Sequence, residues 1–227
     1  MEIAPDLHAI NLLGARGFLI CEPEMTLIDA GLPGSRRRLE RYLARIGRSI
    51  RELRWIVCTH AHPDHIGGVR ELTIDTDAEV LMHPADIDGL KVTLREAWSE
   101  RDRSKLLAYF TRGPHAASPL HDGEEVPGLG GLRVVHTPGH TPGSICLYAR
   151  RDRILFTGDM LQRIRGRVTF ASTIFSADIA LARASVARLA ALDVGMIAFA
   201  HYPAWRDDAN GVLRELAQRA AALPPPP

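Results

Sequence analysis

The chain has 227 residues, 46% hydrophobic and 24% charged, the balance of a globular protein able to bury roughly 70% of its unfolded surface in an ordinary core. That composition excludes a disordered or fibrous chain, and no apolar run approaches the ~20 residues needed to span a bilayer. Twenty-eight Lys and Arg against 27 Asp and Glu leave a formal charge of +1, so charge gives no case for nucleic acid or an anionic membrane as partner.

In chain order, apolar and β-branched runs bounded by Gly and Pro predict strands at Leu7–Leu13, Gly17–Cys21, Met25–Asp29, Trp55–Thr59, Val80–Met82, Leu132–His136, Ile145–Ala149, Ile154–Thr157 and Met196–Ala200. Between them, Ser35 is the expected cap of a helix carrying Leu39, Tyr42, Leu43 and Ile46 on one face and stopped by Gly47. Residues from Ala85 to Phe110 pattern as one or two amphipathic helices, a lid in prospect. Asp178–Leu192, with Ile179, Ala182, Val186 and Leu189 inward, and Val212–Ala222, with Leu213, Leu216 and Ala220, are two more helices. Strands mixed with helices give an α/β layered domain, read as one domain over residues 1–223 with an extended tail at Pro224–Pro227.

Cys21, Cys58 and Cys146 are odd in number and sit in apolar runs, which predicts buried thiols and a reducing compartment. The amino terminus lacks the basic and apolar segments of a secretory signal, so a cytoplasmic location is expected.

Ten histidines are the one unusual count. His60-Ala-His62-Pro-Asp64-His65 packs three imidazoles and a carboxylate into six residues directly after a predicted strand. A strand end opening into a loop lets such side chains converge, and imidazole with carboxylate suits zinc, iron or manganese. The Gly67-Gly68 pair allows tight backbone passage and is expected to open a helix aimed at the site. His140, Asp159 and His201 follow later strands, so seven ligand-type residues fall at strand ends and suggest a two-metal centre. His8, His83, His115, His121 and His136 are assigned no function, with His83 capping a strand and His136 facing the sheet.

These motifs, with Pro138-Gly-His140-Thr-Pro-Gly-Ser144, Thr157-Gly-Asp159 and a last histidine after a strand, resemble the metallo-β-lactamase superfamily. The likeness runs from Asp29 to His201 and implies an αββα sandwich, two mixed β-sheets flanked by helices. It further implies one metal on His60, His62 and His140, a second on Asp64, His65 and His201, and Asp159 bridging them. Asp29 would orient a metal loop by hydrogen bonding without touching metal. The cofactors implied are two divalent ions, zinc first, with iron or manganese as alternatives. Asp64 and Asp159 are the catalytic carboxylates in this reading, fixing the metal separation and orienting a hydroxide nucleophile.

Departures from the family narrow the substrate. Asp159 argues against antibiotic hydrolysis, His62 and the length against flavin-linked di-iron proteins, the short segment after His201 against a glutathione-binding extension, and Gln162 against quorum-signal lactonases. Ala200-His201-Tyr202 stands where the family usually has Gly-His-Gly. Residues Gln162–Phe175 and those after His201 supply the expected pocket wall, with Phe170, Phe175, Tyr202 and Trp205 its aromatics and Ile164 and Ile174 its aliphatics. Arg163, Arg165 and Arg167 are candidate anion contacts. The reading is a metal-dependent hydrolase of a small ester, thioester or lactone. A mononuclear iron persulfide oxygenase, a phosphodiesterase and a non-catalytic sensor remain as alternatives. The expected partner is a small molecule, with no nucleic acid or membrane and with a homodimer as the assembly to test.

Overall fold

The computed structural model describes residues 1–89 and 116–223. Leu90, Leu94, Trp98, Leu106 and Phe110 of the expected lid, His115 and the Pro224–Pro227 tail lie outside the described residues. The chain forms two compact units, the first of residues 1–120 with 127–129, the second of residues 121–126 with the chain from Gly130 onward.

Among the described residues the first unit holds a seven-stranded sheet in chain order: β1 (Glu2–Ala4), β2 (Leu7–Asn11), β3 (Arg16–Ile20), β4 (Met25–Ile28), β5 (Leu53–Val57), β6 (Glu79–Met82) and β7 (Ser118–Pro119). From β1 to β4 the pairing is antiparallel, and from β4 to β7 it is parallel. Parallel neighbours need crossovers, which α1 (Arg36–Arg45) supplies between β4 and β5, and α2 (Pro63–Ile66) with α3 (Val69–Leu72) between β5 and β6. Helix α1 buries Leu39, Tyr42 and Leu43 in one core with Leu19, Leu27 and Ile56 of the strands. Phe18, Ile20, Ile28 and Val57, on the opposite face of those strands, are buried as well. A sheet buried on both faces explains the near-continuous apolar runs in its parallel half.

Ser35 sits at the start of α1 but does not cap it. Its Oγ accepts the Leu13 N–H instead, and the Arg36 N–H is taken by Glu71 Oε1 at 2.8 Å. The other end is as expected: Gly47, at φ +71°, lets Arg48 N–H reach Leu43 O at 2.9 Å and its own N–H reach Ala44 O, closing the helix with a left-handed residue. Beyond β6, α4 (Pro84–Gly89) begins at His83, whose Nδ1 accepts the Ala85 N–H; His83 therefore caps a helix where a strand cap was expected.

In the second unit, β8 (Glu125–Val126), β9 (Leu132–His136), β10 (Ile145–Ala149) and β11 (Ile154–Phe156) pair antiparallel. Part of the expected pocket wall, for which no strand was predicted, forms the hairpin β12 (Leu161–Ile164) and β13 (Arg167–Phe170). Its turn, Arg165 at φ +50° and Gly166 at φ +78°, has the twist that two-residue hairpins favour, but carries Arg where Asn or Asp usually signals it. After α5 (Ile179–Ala190), β14 (Met196–Ala198) joins β11 in parallel, and α6 (Ala209–Ala222) follows. Asp178 caps α5 by accepting the Leu181 N–H at 2.9 Å. Ala182, Val186 and Leu189 of α5 share a core with Leu213 and Leu216 of α6 and with Leu155 and Ile197 of the sheet.

No helix among the described residues is long and apolar enough to cross a membrane. The three cysteines are free thiols, Cys58 and Cys146 buried and Cys21 half-buried.

Candidate metal centre

Strands β4, β5, β11 and β14 each end one or two residues short of the predicted end, and candidate donors or the residues that hold them lie beyond each. After β4, Asp29 turns into the left-handed region at φ +59°, which stops the ladder and points its carboxylate, 1% exposed, at the loop after β5. There Thr59 N–H donates to Asp29 Oδ1 at 2.8 Å and the Thr59 hydroxyl donates to Asp29 Oδ2 at 2.9 Å, so β5 also stops short of Thr59.

These bonds settle the tautomers of two histidines. A carboxylate only accepts, so His65 Nδ1 carries the proton that it donates to Asp29 Oδ2 at 2.8 Å. The Thr59 hydroxyl proton is spent on Asp29, so its oxygen accepts from His60 Nδ1 at 3.0 Å. In the neutral form of both rings Nε2 is therefore the lone-pair nitrogen, the tautomer a metal ligand requires.

His62 leads into α2, Pro63 opens it, and Asp64 and His65 lie within it. One helix, α2, thus ends just before Gly67-Gly68, and α3 opens directly after them with Gly68 at its start, as expected. The glycines also serve a packing need: a Cβ on Gly68 would sit 2.3 Å from Ala30 O, and one on Gly67 2.5 Å from Pro63 O. Their absent side chains let the metal loop close on the 29–33 turn, where Ala30 N–H bonds His65 O at 2.7 Å. Imidazole centroids of His60 and His65 are 4.0 Å apart, and those of His60 and His62 4.7 Å. Ligand-type atoms of His60 and His62 lie within 4.8 Å of each other, as do those of Asp64 and His65.

Asp86 was not singled out from sequence. It is 2% exposed on α4, and its Oδ2 accepts the Ala61 N–H at 2.8 Å, pinning the backbone between His60 and His62. Only its place two residues after the Pro84 that opens α4 hinted at an inward carboxylate.

The second unit carries His140, Asp159 and His201. His140 rides in the loop between β9 and β10, which packs against the start of α5: Asp178 N–H bonds Gly139 O at 2.8 Å and Ala177 N–H bonds His140 O at 3.0 Å. Gly139, at φ +130°, has no room for a side chain, since a Cβ would lie 2.1 Å from Ala182 N. Ser176, also unflagged in the sequence, gives its hydroxyl proton to Ser172 O and so accepts from His140 Nδ1 at 3.2 Å. His140 is a third buried imidazole whose neutral form has its lone pair on Nε2. Asp159 stands between two histidines, Oδ2 facing His140 Nε2 at 3.6 Å and Oδ1 facing His201 Nε2 at 3.1 Å.

Of the expected pocket aromatics, Phe170 belongs to the core of the second unit, with the Arg183 and Arg219 guanidiniums 5.9 and 5.5 Å from its ring centroid. Tyr202 and Trp205 pack against that core, and Arg163 lies over the Trp205 ring. Ile174 and Phe175 are exposed, at 84% and 66%. Neither buried thiol offers a nucleophile: burial pushes Cys58 well above its ordinary value and Cys146 up to about 12.

Each unit therefore carries oriented imidazoles beside a carboxylate, a donor set that fits a divalent transition metal. A family model for the metallo-beta-lactamase superfamily matches residues 24–201. YobT of Bacillus subtilis (strain 168) is 32% identical over 67% of this chain, and the match covers 64% of its own length. The probable metallo-hydrolase YflN of the same organism is 28% identical over 98% of this chain and 94% of its own length. An acyl-coenzyme A thioesterase of Gallus gallus is 36% identical over 46% of this chain and 40% of its own. Among solved structures, the metallo-beta-lactamase family protein TTHA1429 of Thermus thermophilus superposes with a TM-score of 0.74 at 24% identity, covering 97% of this chain and 81% of its own. TTHA1623, in a di-iron-bound form, superposes with a TM-score of 0.67 at 27% identity, over 87% of this chain and 93% of its own. A motif set at the strand ends, two mixed sheets with flanking helices and a family match spanning Asp29 to His201 converge on one assignment: the chain belongs to the metallo-beta-lactamase superfamily.

Proposed function

We propose that the donors of the two units serve one dinuclear centre, and that the protein is a metal-dependent hydrolase of small thioesters or related esters and lactones. In this reading His60, His62 and His140 hold one ion, Asp64, His65 and His201 hold the other, and Asp159 bridges. The observation that carries it is the Asp159 carboxylate, with one oxygen turned to His140 and the other to His201. A carboxylate so disposed suits a bridge better than a terminal ligand. Zinc is the first expectation and iron the second, the latter because the relative TTHA1623 is known in a di-iron form.

When bound, two such ions supply a nucleophilic water at neutral pH and polarise the scissile carbonyl. The chain's own residues do the rest. Asp29, through His65 directly and through Thr59 to His60, keeps both imidazoles in the ligand tautomer. Ser176 does the same for His140. Asp86 holds the Ala61 backbone so that the flanking histidines keep their spacing. The exposed Ile174 and Phe175, between Asp159 and α5, offer apolar contact for an acyl group. A thioester heads the list because a relative is an acyl-coenzyme A thioesterase.

The test is metal analysis of native protein joined to a panel of acyl-thioesters, carboxyl esters and lactones. Close to two ions per chain, with turnover abolished by a chelator and restored by metal, is the expected result. A metal-free native preparation, or no metal-dependent turnover across the panel, overturns the proposal.

A further inference from the structure

The first unit contains an open surface pocket of about 830 Å³ between the β2–β3 hairpin and α1, and none of its lining residues belongs to the proposed metal centre. Its wall includes Asn11, Arg16, Arg38, Arg41, Tyr42 and Arg45, and no lining residue is acidic. Four guanidiniums around one pocket repel one another, and such an arrangement is ordinarily neutralised by neighbouring carboxylates. Here it is not. Among the described residues none of the four makes an ion pair, whereas Arg36, on the same helix, is held by Glu40 and Asp75 at 2.8 and 2.7 Å.

The four arginines have neutral neighbours instead. Arg38 Nη1 reaches Asn11 O at 3.3 Å, Arg41 Nε donates to Arg37 O at 3.2 Å, and Arg45 lies 5.2 Å from the Tyr42 ring centroid. Arg16 is the most telling. Its Nη1 is buried without a hydrogen-bond partner among the described residues, and burial holds its pKa below the ordinary value. Burying one nitrogen of the guanidinium without an acceptor destabilises the cation, and an anion at the accessible side of the half-buried Arg16 would offset that cost.

We propose that this pocket binds a small phosphate-bearing polyanion, through guanidinium–phosphate hydrogen bonds from Arg16, Arg38, Arg41 and Arg45. Guanidinium matches phosphate and carboxylate alike, but a single carboxylate would leave most of this charge uncompensated, whereas linked phosphates carry several negative charges in a compact group. The volume lies within the range of small-molecule sites and admits a nucleoside polyphosphate.

Calorimetric titration of the metal-loaded protein with inorganic pyrophosphate and with adenosine triphosphate tests this, with uncharged adenosine as control. Saturable binding of the phosphates but not of adenosine is expected, weakening steeply with added salt. Arg16→Gln and the double variant Arg38→Glu/Arg41→Glu should each lower affinity by roughly tenfold or more with metal content unchanged, and Arg16→Gln, which removes a buried unpartnered charge, should hold or raise the thermal midpoint. If Arg16→Gln fails to fold, the double variant, at two exposed positions, still decides the question. No saturable binding, or equal affinity in the double variant, overturns the proposal, and the second result would assign the anion to the metal donors.

Discussion

Asp29 accepts the Nδ1 proton of His65 at 2.8 Å while both groups are essentially excluded from water, at 1% and 0% exposure. The same carboxylate takes the Thr59 N–H and hydroxyl, so a single charge organises the start of the metal loop. Replacing Asp29 with Asn keeps an acceptor and tolerates the left-handed backbone, yet removes the charge that raises imidazole basicity. Metal affinity should fall about 10- to 100-fold in competition with a chromophoric chelator. Asp29→Ala should add a loss of about 1–3 kcal/mol in denaturant stability, because the buried Thr59 donors are left unpaired.

Asp86 acts on backbone, not on a ligand. Asp86→Ala orphans the Ala61 N–H and frees the His60–His62 segment, with a stability cost of about 1–3 kcal/mol. Metal content after dialysis should drop more than it does for a surface variant such as Asp77→Ala, since the spacing of two donors is loosened. Equal metal retention in the two variants would reduce Asp86 to a fold contact.

Gly68 and Gly139 differ from most loop glycines because backbone stands where a Cβ would go. Gly68→Ala meets Ala30 O, and Gly139→Ala meets Ala182 N. Neither neighbour swings aside as a side chain would. Both variants should lose about 3 kcal/mol or more, read by urea unfolding, with Gly139→Ala the worse because of its positive φ. Gly166→Ala, with open space around its Cβ position, should lose only the ~1–2 kcal/mol that its own positive φ, +78°, imposes.

Glu52 gives a pH-dependent contribution whose sign is fixed by its partners. The Ser49 N–H and the Arg48 guanidinium hold its carboxyl below the ordinary value. A depressed folded-state pKa contributes stability that is complete above the unfolded value, about pH 4.3, and lost as pH falls through the folded value. The thermal midpoints of wild type and Glu52→Gln should therefore differ at neutral pH and converge in acid; Glu52 is 39% exposed and Arg48 25%, so solvent screening keeps the difference small.

Much of the fold was legible because its strands are buried and bounded by turn residues. β9 and β10 fall on the expected residues, and both long helices of the second unit are within two or three residues of the spacing. Strands β1, β7 and β8 are two or three residues long, too short to show a period. Hairpin β12–β13 was hidden by arginines that fill its alternating pattern and by an Arg-Gly turn. In the site, the metal-type donors announce themselves by crowding into six residues and then recurring after strands. Thr59, Asp86 and Ser176 do not, because their roles arise from hydrogen bonds that a linear reading does not contain.

The anchored rings of His60, His65 and His140 also carry a spectroscopic consequence. Their Nδ1 protons are donated inward to hydroxyl or carboxylate oxygens from rings that are 0–1% exposed, so exchange with solvent is slowed. Nitrogen-edited proton spectra should show three persistent imidazole N–H signals far downfield of the amides. Their shifts would report ion loading one histidine at a time, without recourse to any substrate.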